Sequence, residues 1–370
     1  SRSAPSAPLR RRASDMSNTR AIAIVGVGGQ GTVLTSDILI EGLVDLGFDV
    51  KKTEQHGLSQ RGGSVNCMVK YGQAVYAPII ADGEADVDFI TMRLQPMLDA
   101  NPDAELFVTQ GFICRNSHGD IDNLQRGGSD LTASLIGAAI YAEEIEIWTD
   151  IDGMHNNDPR IVDKTAPVRQ LHFEEAAELA YFGAKILHPT CIQPAKYANI
   201  PVRLLNTMDP HAPGTLISND TEKGKIKAVA AKDNITAIKI KSSRMLLAHG
   251  FLRKVFEIFE SYQTSIDMIC TSEVGVSVTI DNTKHLNEIL DDLKKYGTVT
   301  VDKEMCIICV VGDLEWENVG FEAKALDAMR DIPVRMISFG GSNYNISFLI
   351  RECDKKTALQ SLSDMLFNNK

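Results

Sequence analysis

Short apolar runs alternate with amphipathic stretches along most of this chain. The runs 106–113, 145–148 and 201–205 have the length and composition of buried strands. The stretches 129–141 and 173–182 instead place their apolar residues at helical spacing. Strands that alternate with helices in this way predict an α/β fold.

The pattern changes after a charged, proline-containing linker over 209–231. From Ile235 onward, strands and amphipathic helices follow one another in the order strand-helix-strand-strand-helix-strand, and this order runs roughly twice. That order is typical of the ferredoxin-like fold. We therefore predict two small ferredoxin-like domains, at 232–300 and at 301–370.

A glycine-rich motif lies near the start of the chain, between a predicted strand and a predicted helix. Gly26, Gly28 and Gly31 match the pattern G-x-G-x-x-G within a strand-turn-helix-strand segment at 19–53. Glycines at this position let the backbone approach a phosphate group at the positive end of a helix. The segment predicts a Rossmann-like fragment, the first part of a doubly wound sheet.

Further sequences extend this segment, which reads GVGGQG at 26–31, EQHGLSQRGGS at 54–64 and GEAD at 83–86. In this order and spacing they resemble the gamma-type (indolepyruvate beta-type) domain of 2-oxoacid:ferredoxin oxidoreductases. The resemblance implies a Rossmann-like fragment of that domain over 18–92, and a 2-oxoacid oxidoreductase subunit as an alternative function. Residues 1–17 are rich in Ser, Pro, Ala and Arg, so we expect a disordered basic tail there.

The charge and composition of the chain argue against several classes of binding partner. A net charge of −11 over 370 residues argues against non-specific nucleic-acid binding, which needs a positive surface. No apolar stretch reaches the roughly 18–20 residues of a membrane span. The seven cysteines show no paired framework, and the C-x-x-C of Cys306 and Cys309 has no second pair to complete a zinc site. We predict buried free thiols, no metal site and a reducing, cytoplasmic environment.

A candidate anion site lies at the start of the predicted helix 129–141, where the sequence reads Arg126-Gly127-Gly128-Ser129-Asp130. Glycines free the backbone amides at this position, and the helix N-terminus adds partial positive charge. Arg126 can hold a carboxylate with two parallel hydrogen bonds. Alternatively, Ser129 or Asp130 is the N-cap of the helix.

Residues with the chemistry of a nucleotide site follow the predicted strand 145–148. Thr149 and Asp150, at the strand end, suit a base and a ribose. Further on, Arg160 and Lys185 can neutralise polyphosphate oxygens, on which phosphoryl transfer develops charge. Each cation also has a plainer interpretation, Lys185 as a helix-end cap and Arg160 as part of a surface salt bridge.

The sequences RGGSD, WTDIDG, NNDPR and GAKILHP occur in this order over 126–189. The order is similar to that of aspartate kinases of the amino-acid kinase fold, and the resemblance extends from Arg93 to the C-terminus. It implies a partial amino-acid kinase fold over 93–221, followed by two ferredoxin-like ACT domains. The implied reaction is attack of the L-aspartate 4-carboxylate on the γ-phosphate of ATP with Mg²⁺, the first step of lysine, threonine and methionine biosynthesis.

The resemblance also assigns site residues. Those that would contact aspartate are Arg126, Gly127, Gly128, Ser129 and Asp130. Those that would line the ATP site are Thr149, Asp150, His155, Asp158, Arg160 and Lys185. His155 stands where the family usually has a tyrosine, so an aromatic ring is kept while its chemistry changes.

One family motif does not occur in this sequence. Aspartate kinases open with a Lys-Phe-Gly-Gly-Thr-Ser strand and loop that holds the transferred phosphate, and here the oxidoreductase-like segment stands in its place. We therefore expect a chimera whose kinase domain lacks its N-terminal part. Losing one preorganised phosphate contact costs roughly 10²–10³-fold in rate. A catalytically inactive, amino-acid-binding ACT dimerisation module is accordingly an alternative function.

The first ferredoxin-like domain carries a possible effector site, because 235–280 is similar to the effector-binding part of lysine-sensitive aspartate kinases. The resemblance implies lysine or threonine as the effector. The residues that it assigns to this site are Met245, Phe251, Leu252, Ile266, Asp267, Ser272 and Glu273. Taken alone, Phe251 and Leu252 fit a helix core, and Asp267 fits a strand-end turn. ACT domains pair edge to edge, which covers exposed sheet edges, so a homodimer is expected.

Overall fold

The structure, a computed structural model, describes residues 22–27, 52–56, 64–69, 80–81, 84–104, 106–116, 120–183, 187–242 and 249–367. Its strands, in chain order, are β1 (Ile22–Val27), β2 (Lys52–His56), β3 (Ser64–Val69), β4 (Ile80–Ala81), β5 (Glu84–Ala85), β6 (Ile113–Arg115), β7 (Ile121–Asn123), β8 (Ile145–Thr149), β9 (Gln170–His172), β10 (Val202–Asn206), β11 (Thr215–Ser218), β12 (Ile226–Lys241), β13 (Ile269–Ser272), β14 (Gly275–Ile280), β15 (Thr298–Gly312), β16 (Met336–Phe339) and β17 (Asn345–Arg351). Its α-helices are α1 (Val87–Asp99), α2 (Gly128–Ala139), α3 (Phe173–Tyr181), α4 (Gln193–Ala198), α5 (Phe251–Ser261), α6 (Leu286–Lys294), α7 (Phe321–Ala328) and α8 (Lys355–Leu366).

The described residues divide into two compact units. Unit 1 comprises the residues up to Asp150, together with Thr190–Arg203 and Thr207–Pro210. Unit 2 comprises Ile151–Pro189, Leu204–Asn206 and the residues from His211 onward. The division cuts β10, which begins in unit 1 and ends in unit 2.

The first three strands form an antiparallel sheet in unit 1, in the order β1-β3-β2. A doubly wound sheet instead places its first two strands side by side and parallel. Here β3 lies between them and pairs with both, so the prediction of a Rossmann-like fragment over 18–92 is not supported. Gly26 lies inside β1 rather than in a turn, and Gly28 and Gly31 lie outside the described residues.

Helices α1 and α2 supply an apolar core in unit 1. Asp86 caps α1, since its side chain accepts a hydrogen bond from Phe89 N at 2.8 Å. Ile90 and Leu94 of α1 are buried against Leu135 of α2. The antiparallel hairpin of β6 and β7 comes immediately before α2 in the chain.

The largest sheet lies in unit 2 and has the strand order β13-β14-β12-β15-β17-β16. Its centre is the long antiparallel pair of β12 and β15, whose register is interrupted by irregularities between Lys232 and Ala237. β14 pairs with 236–241 of β12, and β17 pairs with 305–311 of β15. The two outer pairs are therefore attached at opposite ends of the central pair.

The interruption divides this sheet into two halves. The first half comprises 236–241 of β12, α5, β13, β14, α6 and 298–302 of β15. The second half comprises 305–312 of β15, α7, β16, β17, α8 and 226–232 of β12. The first half has the predicted ferredoxin-like order of elements. The second half has the first five elements in that order, and its sixth strand comes from the chain that precedes the first half.

Each half also has its own apolar core. In the first half, Phe259 of α5 and Ile289 of α6 are buried against the sheet. In the second half, Phe348 of β17 and Leu362 of α8 are buried in the same way. Val162, from the loop that precedes β9, is fully buried among the residues of the second core. The second half therefore includes a side chain from well outside the ferredoxin-like pattern.

Candidate functional site

Helix α2 begins on two glycines that the local backbone requires. Gly127 is the N-cap residue, and its φ of 72° lies in the left-handed region that favours glycine. Gly128 is buried, and a Cβ there would lie 2.9 Å from side-chain atoms of both Leu124 and Phe112. Cys191 donates its thiol to the carbonyl oxygen of Gly127 at 3.1 Å. Gly127 is therefore needed for its φ angle, and Gly128 is needed because a side chain would not fit there.

The alternative that Ser129 or Asp130 caps α2 is wrong, because Gly127 holds the N-cap position and no side chain caps the helix. Both residues lie in the first turn of α2 and are half-buried. Burial raises the pKa of Asp130 to about 6. Arg126 is exposed one residue before the cap. The residues predicted to bind aspartate thus form one continuous turn in unit 1, with an exposed guanidinium beside a helix N-terminus.

Thr149 and Asp150 occupy the strand-end position that the sequence predicts. Thr149 is the last residue of β8, and its carbonyl oxygen accepts a hydrogen bond from Thr207 N at 2.7 Å. Asp150 follows it and is exposed. Their predicted position at the end of a strand is confirmed, and their role in nucleotide binding stays a prediction.

A bidentate ion pair stabilises the loop that follows Asp150, at the start of unit 2. Two nitrogens of Arg169, Nη1 and Nη2, each donate to the carboxylate of Asp152 at 3.0 Å. Asp152 also accepts a hydrogen bond from Gly214 N at 3.1 Å. The hydrogen bond to Arg169 is the main cause of a lowered pKa at Asp152. Arg169 lies outside every motif of the sequence, so the pattern of residues did not indicate this ion pair.

His155 lies in the same loop and forms an isolated β-bridge with Pro167. Its Nδ1 is 3.0 Å from Thr165 Oγ1. Burial lowers the pKa of His155 below its usual value, so the ring is neutral at pH 7. A neutral aromatic ring is the form that suits stacking beside a nucleotide base, as predicted for this position.

Asp158 and Arg160 form a well-defined charged pair. Arg160 Nε donates to Asp158 Oδ1 at 2.9 Å, Nη2 donates to Oδ2 at 2.7 Å, and the Arg160 backbone N donates to Oδ1 at 2.9 Å. These bonds lower the pKa of Asp158 and raise that of Arg160. The Arg160 side chain remains 71% exposed. The salt bridge predicted as the plainer interpretation is therefore present, and it orients a guanidinium that an anion can reach.

The effector residues that can be described fall into two groups. Phe251, the first residue of α5, is buried in the core of the first half, and Ile266 packs partly buried against that core. Leu252, Ser272 and Glu273 are exposed. The helix-core interpretation is thus confirmed for Phe251 and wrong for Leu252. Met245 and, in the candidate nucleotide site, Lys185 lie outside the described residues.

Asp267 lies at the centre of a charged cluster that the sequence did not predict. Its side chain is 1% exposed, and its Oδ1 accepts hydrogen bonds from Lys232 Nζ at 2.6 Å and from Tyr181 Oη at 2.9 Å. Lys232 also contacts Asp281 Oδ2 at 2.9 Å and lies over the Tyr181 ring. Although burial opposes it, pairing with the carboxylates raises the pKa of Lys232. Lys232 and Tyr181 belong to no motif, and only their packing reveals them.

Three further observations concern metal-binding groups, membrane-spanning helices and cysteines. Among the residues that the structure describes, no three His, Cys, Asp or Glu side chains group as a metal site. Within the same ranges, no helix is long and apolar enough to cross a membrane. Cys306 and Cys309 are buried free thiols, as predicted for this pair, whereas Cys353 is exposed. Burial raises the thiol pKa of Cys306 and of Cys309.

Comparisons with known proteins place these features in a family. The model of the Amino acid kinase family matches residues 11–206, more than half of the chain, and an ACT domain model matches 308–366. Aspartokinase 1, chloroplastic, from Arabidopsis thaliana is 39% identical over 276 residues, which cover 71% of this chain and 48% of that protein. The class defined by the fold and the family match is therefore an amino acid kinase with a ferredoxin-like, ACT-type sheet.

Two crystal structures from Escherichia coli narrow the class further. Aspartokinase III with aspartate and ADP is 34% identical and has a TM-score of 0.70, over 80% of this chain and 70% of that one. Aspartokinase III with lysine and aspartate is also 34% identical, with a TM-score of 0.68 over the same shares. The chain belongs to the aspartate kinases of the amino acid kinase family. It spans about half the length of the Arabidopsis relative, 48%.

The family match also bears on the glycine-rich segment at the start of the chain. The match begins at residue 11 and so includes the segment 18–92 that resembles an oxidoreductase domain. The antiparallel pairing of these strands in the order β1-β3-β2 also argues against a Rossmann-like oxidoreductase fragment. The interpretation of this segment as a fragment of a 2-oxoacid oxidoreductase is not supported.

Proposed function

We propose that this chain is a feedback-regulated aspartate kinase, which transfers the γ-phosphate of ATP to the 4-carboxylate of L-aspartate. The observation that carries the proposal is the pair of Asp158 and Arg160, an exposed guanidinium held in place by a carboxylate. Membership of the family supports the substrate class, as do the aspartate and ADP bound by the E. coli relative. Because the chain spans only part of its Arabidopsis relative, activity and regulation are both proposals.

The arginines of the candidate site can compensate the negative charge of the two substrates. Phosphoryl transfer places negative charge on the phosphate oxygens, and a fixed guanidinium stabilises that charge without reorganising. Arg160 meets this requirement, since three hydrogen bonds to Asp158 hold it. In unit 1, Arg126 and the N-terminus of α2 suit a carboxylate of aspartate. The nucleophile is the substrate's own carboxylate, so the protein needs no nucleophilic side chain.

Mg²⁺ fits this arrangement as a partner of the phosphates rather than of the protein. Within the described ranges, no acidic cluster is arranged to enclose a metal ion. Mg²⁺ usually keeps several waters and binds through substrate phosphates with one or two carboxylates. When bound with ATP, it would neutralise part of the phosphate charge. The described residues would bind and orient the nucleotide and the aspartate.

Lysine is the effector that we propose, with Asp267 as the carboxylate that meets its ammonium group. Asp267 Oδ1 is taken by Lys232 and Tyr181, while its buried Oδ2 has no hydrogen-bond partner among the described residues. Leaving a buried carboxylate oxygen unpaired costs free energy, and an ammonium donor would relieve that cost. The lysine bound by the second E. coli structure supports the choice of effector.

A homodimer formed through the first half is the assembly that we propose. Leu252 and Phe256 of α5 expose apolar side chains, as do Ile269 and Val274 around β13. Exposed apolar side chains and the edge strand β13 are both features through which a sheet can pair with a second copy. Light scattering from the purified chain should then give a mass near twice 40.6 kDa.

The catalytic proposal is tested by aspartate-dependent formation of an acyl phosphate, trapped as its hydroxamate, with and without lysine. We expect product from the wild type, less product with lysine, and a loss of roughly 10²–10³-fold in Arg160→Gln. Arg253→Gln is the matched control, because Arg253 is 78% exposed and donates Nε to Glu257 at 2.9 Å in the same unit. Equal activity of the two variants would contradict the role of Arg160.

A second candidate is a non-catalytic, amino-acid-binding module that dimerises through its ferredoxin-like halves. One observation favours it, namely that the phosphate-holding sequence Lys-Phe-Gly-Gly-Thr-Ser does not occur in this chain. The same preparations separate the two candidates. Lysine binding without any hydroxamate product would establish the module and exclude the kinase.

A further inference from the structure

The turn that carries Asp158 and Arg160 is attached to the second half by a buried amide. Asn157 is 3% exposed, and its Nδ2 donates to the carbonyl oxygen of Leu359, in α8, at 3.1 Å. Its Oδ1 accepts a hydrogen bond from Asp158 N at 2.9 Å. Only an oxygen can face an N–H group and only a nitrogen can face a carbonyl, so these two contacts fix the orientation of the amide.

Two more contacts hold the same stretch of chain. On one side of Asn157, the carbonyl oxygen of Asn156 accepts a hydrogen bond from Val229 N of β12 at 2.9 Å. On the other side, Val162 is fully buried in the core of the second half. The turn is therefore fixed at both ends against the second half, and Asn157 is its polar attachment to α8.

The hydrogen bonds of Asp158 connect this attachment to Arg160. The carbonyl oxygen of Asp158 accepts from Ile161 N and Val162 N, both at 3.0 Å, which closes the turn. Its carboxylate holds the guanidinium of Arg160 with two side-chain hydrogen bonds. Asp158 thus lies between Asn157 and Arg160, and a displacement of its backbone moves the cation.

We propose that Asn157 is a positioning residue that couples helix α8 of the second half to the turn carrying Asp158 and Arg160. The amide sets where Asp158 lies, and Asp158 sets where Arg160 lies. The consequence for nucleotide binding rests on the proposed function, whereas the coupling itself is a property of the fold. A misplacement of about 1 Å at a reacting group costs on the order of 10²-fold, so a residue that contacts no substrate can matter at this level.

Two variants separate the local bond from the bond to α8. Asn157→Ala removes both. Asn157→Asp keeps an oxygen for Asp158 N and removes the donor to Leu359, provided that it is ionised, so it is measured at pH 8. Asn318→Ala is the matched control, because Asn318 Nδ2 donates to Asp313 O at 3.2 Å in the same half without touching the turn.

The first readout is hydrogen exchange of the unliganded full chain, followed in peptides over 158–166. We expect exchange there to be about tenfold faster in N157A and N157D than in the wild type, and unchanged in N318A. Peptides from the first half should be unaffected in all three variants. If the exchange rate of N157D equals that of the wild type, the coupling to α8 is overturned, because the hydrogen bond from Asp158 N alone would then protect the turn. Faster exchange throughout N157A would overturn it as well, because the amide would then have a general structural role.

The second readout is calorimetric titration with MgATP and, separately, with lysine. We expect MgATP to bind about tenfold more weakly to N157A and N157D, with lysine binding unchanged. Loss of exchange protection without any change in MgATP affinity would overturn the positioning role. Failure of the wild type to bind MgATP would instead count against the proposed function, and the exchange data would still decide whether α8 holds the turn.

Discussion

The two halves of the six-stranded sheet contact the preceding residues of unit 2 in different ways. The second half takes Val162 into its apolar core and holds Asn157 through the carbonyl oxygen of Leu359. The first half meets Tyr181, at the end of α3, through the carboxylate of Asp267, which also pairs with Lys232 at the end of the β12 segment of the second half. The contact at Val162 and Asn157 is uncharged and buried, and the contact at Asp267 is mainly ionic.

This difference separates a fixed contact from one that a ligand can compete for. Burial of an aliphatic side chain is non-directional and scales with the area removed from water, so it changes little with pH or added amino acid. A buried ion pair depends on the continued presence of its partner. Free lysine carries the same ammonium group as Lys232, so by binding at the unpaired Oδ2 atom of Asp267 it can compete with Lys232 and Tyr181 for the charge of this carboxylate. In the regulation that we propose, the second half holds the turn that carries Arg160, and the first half binds the effector at Asp267.

The largest effect is expected at the apolar contact. Val162→Asp should lower the free energy of unfolding by about 5 kcal/mol, because it places an unpaired charge in a closed core. The measurement is urea denaturation followed by circular dichroism. Val319→Asp is the control, since Val319 is 93% exposed in the same half, and it should change stability by less than about 0.5 kcal/mol. Similar midpoints for both variants would show that Val162 is not part of the core.

An intermediate effect is expected at the ionic contact. Lys232→Met should destabilise the fold by about 3 kcal/mol at pH 7.5, because it leaves the buried carboxylate of Asp267 without its cation. Lys294→Met is the control, because the pair of Lys294 and Asp291 is exposed and contributes about 0–1 kcal/mol.

The same variant should be sensitive to pH. Burial raises the pKa of Asp267, and loss of Lys232 removes a cause that lowers it. The pKa of an aspartate in the unfolded chain is about 3.9. When the pKa in the folded state is higher, the group lowers the free energy of unfolding at pH values above the folded-state pKa. At pH values below the unfolded-state pKa it has no effect on that free energy. The deficit of K232M should therefore shrink as the pH falls from 7.5 toward 4. A deficit that does not depend on pH would contradict the assignment to Asp267.

The smallest effect is expected at the Tyr181 hydroxyl group. Burial, with Asp267 nearby, raises the pKa of Tyr181 to about 12, so the group remains a donor at neutral pH. Tyr181→Phe should cost about 1 kcal/mol and, by removing a competing donor, strengthen lysine binding. Tyr262→Phe is the control, because Tyr262 donates to the more exposed Asp292 at 3.0 Å in the first half. Weaker lysine binding in Y181F would mean that the hydroxyl group assists the effector.

Several elements could be predicted from local pattern alone. The helix predicted over 173–182 is α3, and the strand predicted over 145–148 is β8. The strand predicted over 106–113 is not found, and only Ile113–Arg115 forms β6. Leu106 is 80% exposed, so the apolar run does not face a core there. A run of apolar residues indicates strand propensity, but a strand also needs a pairing partner.

The arrangement of the two halves was beyond local pattern. The sequence predicts separate domains at 232–300 and 301–370, and only 235–240 as the first strand. In the structure β12 is longer, and its start at 226–232 completes the second half by pairing with β15. Such pairing joins residues about seventy to ninety positions apart, and no short-range periodicity carries that information.

The candidate site shows the same limit. Motif order located the turn of Asp158 and Arg160 and placed Thr149 at a strand end. It did not predict the contact between Asn157 and Leu359, which are 202 positions apart, or the contact of Lys232 with Asp267. A motif gives the identity and order of its residues, whereas contacts between residues far apart in the chain are determined by packing.

The most direct test of this account is thermodynamic linkage between lysine and MgATP. Isothermal titration calorimetry would give the dissociation constant of lysine with and without saturating MgATP, and then the reverse. We expect each ligand to weaken the binding of the other by at least about fivefold, and by the same factor, because coupling free energies are reciprocal. Dissociation constants that do not change would contradict it, since the effector site and the turn of Arg160 would then be independent.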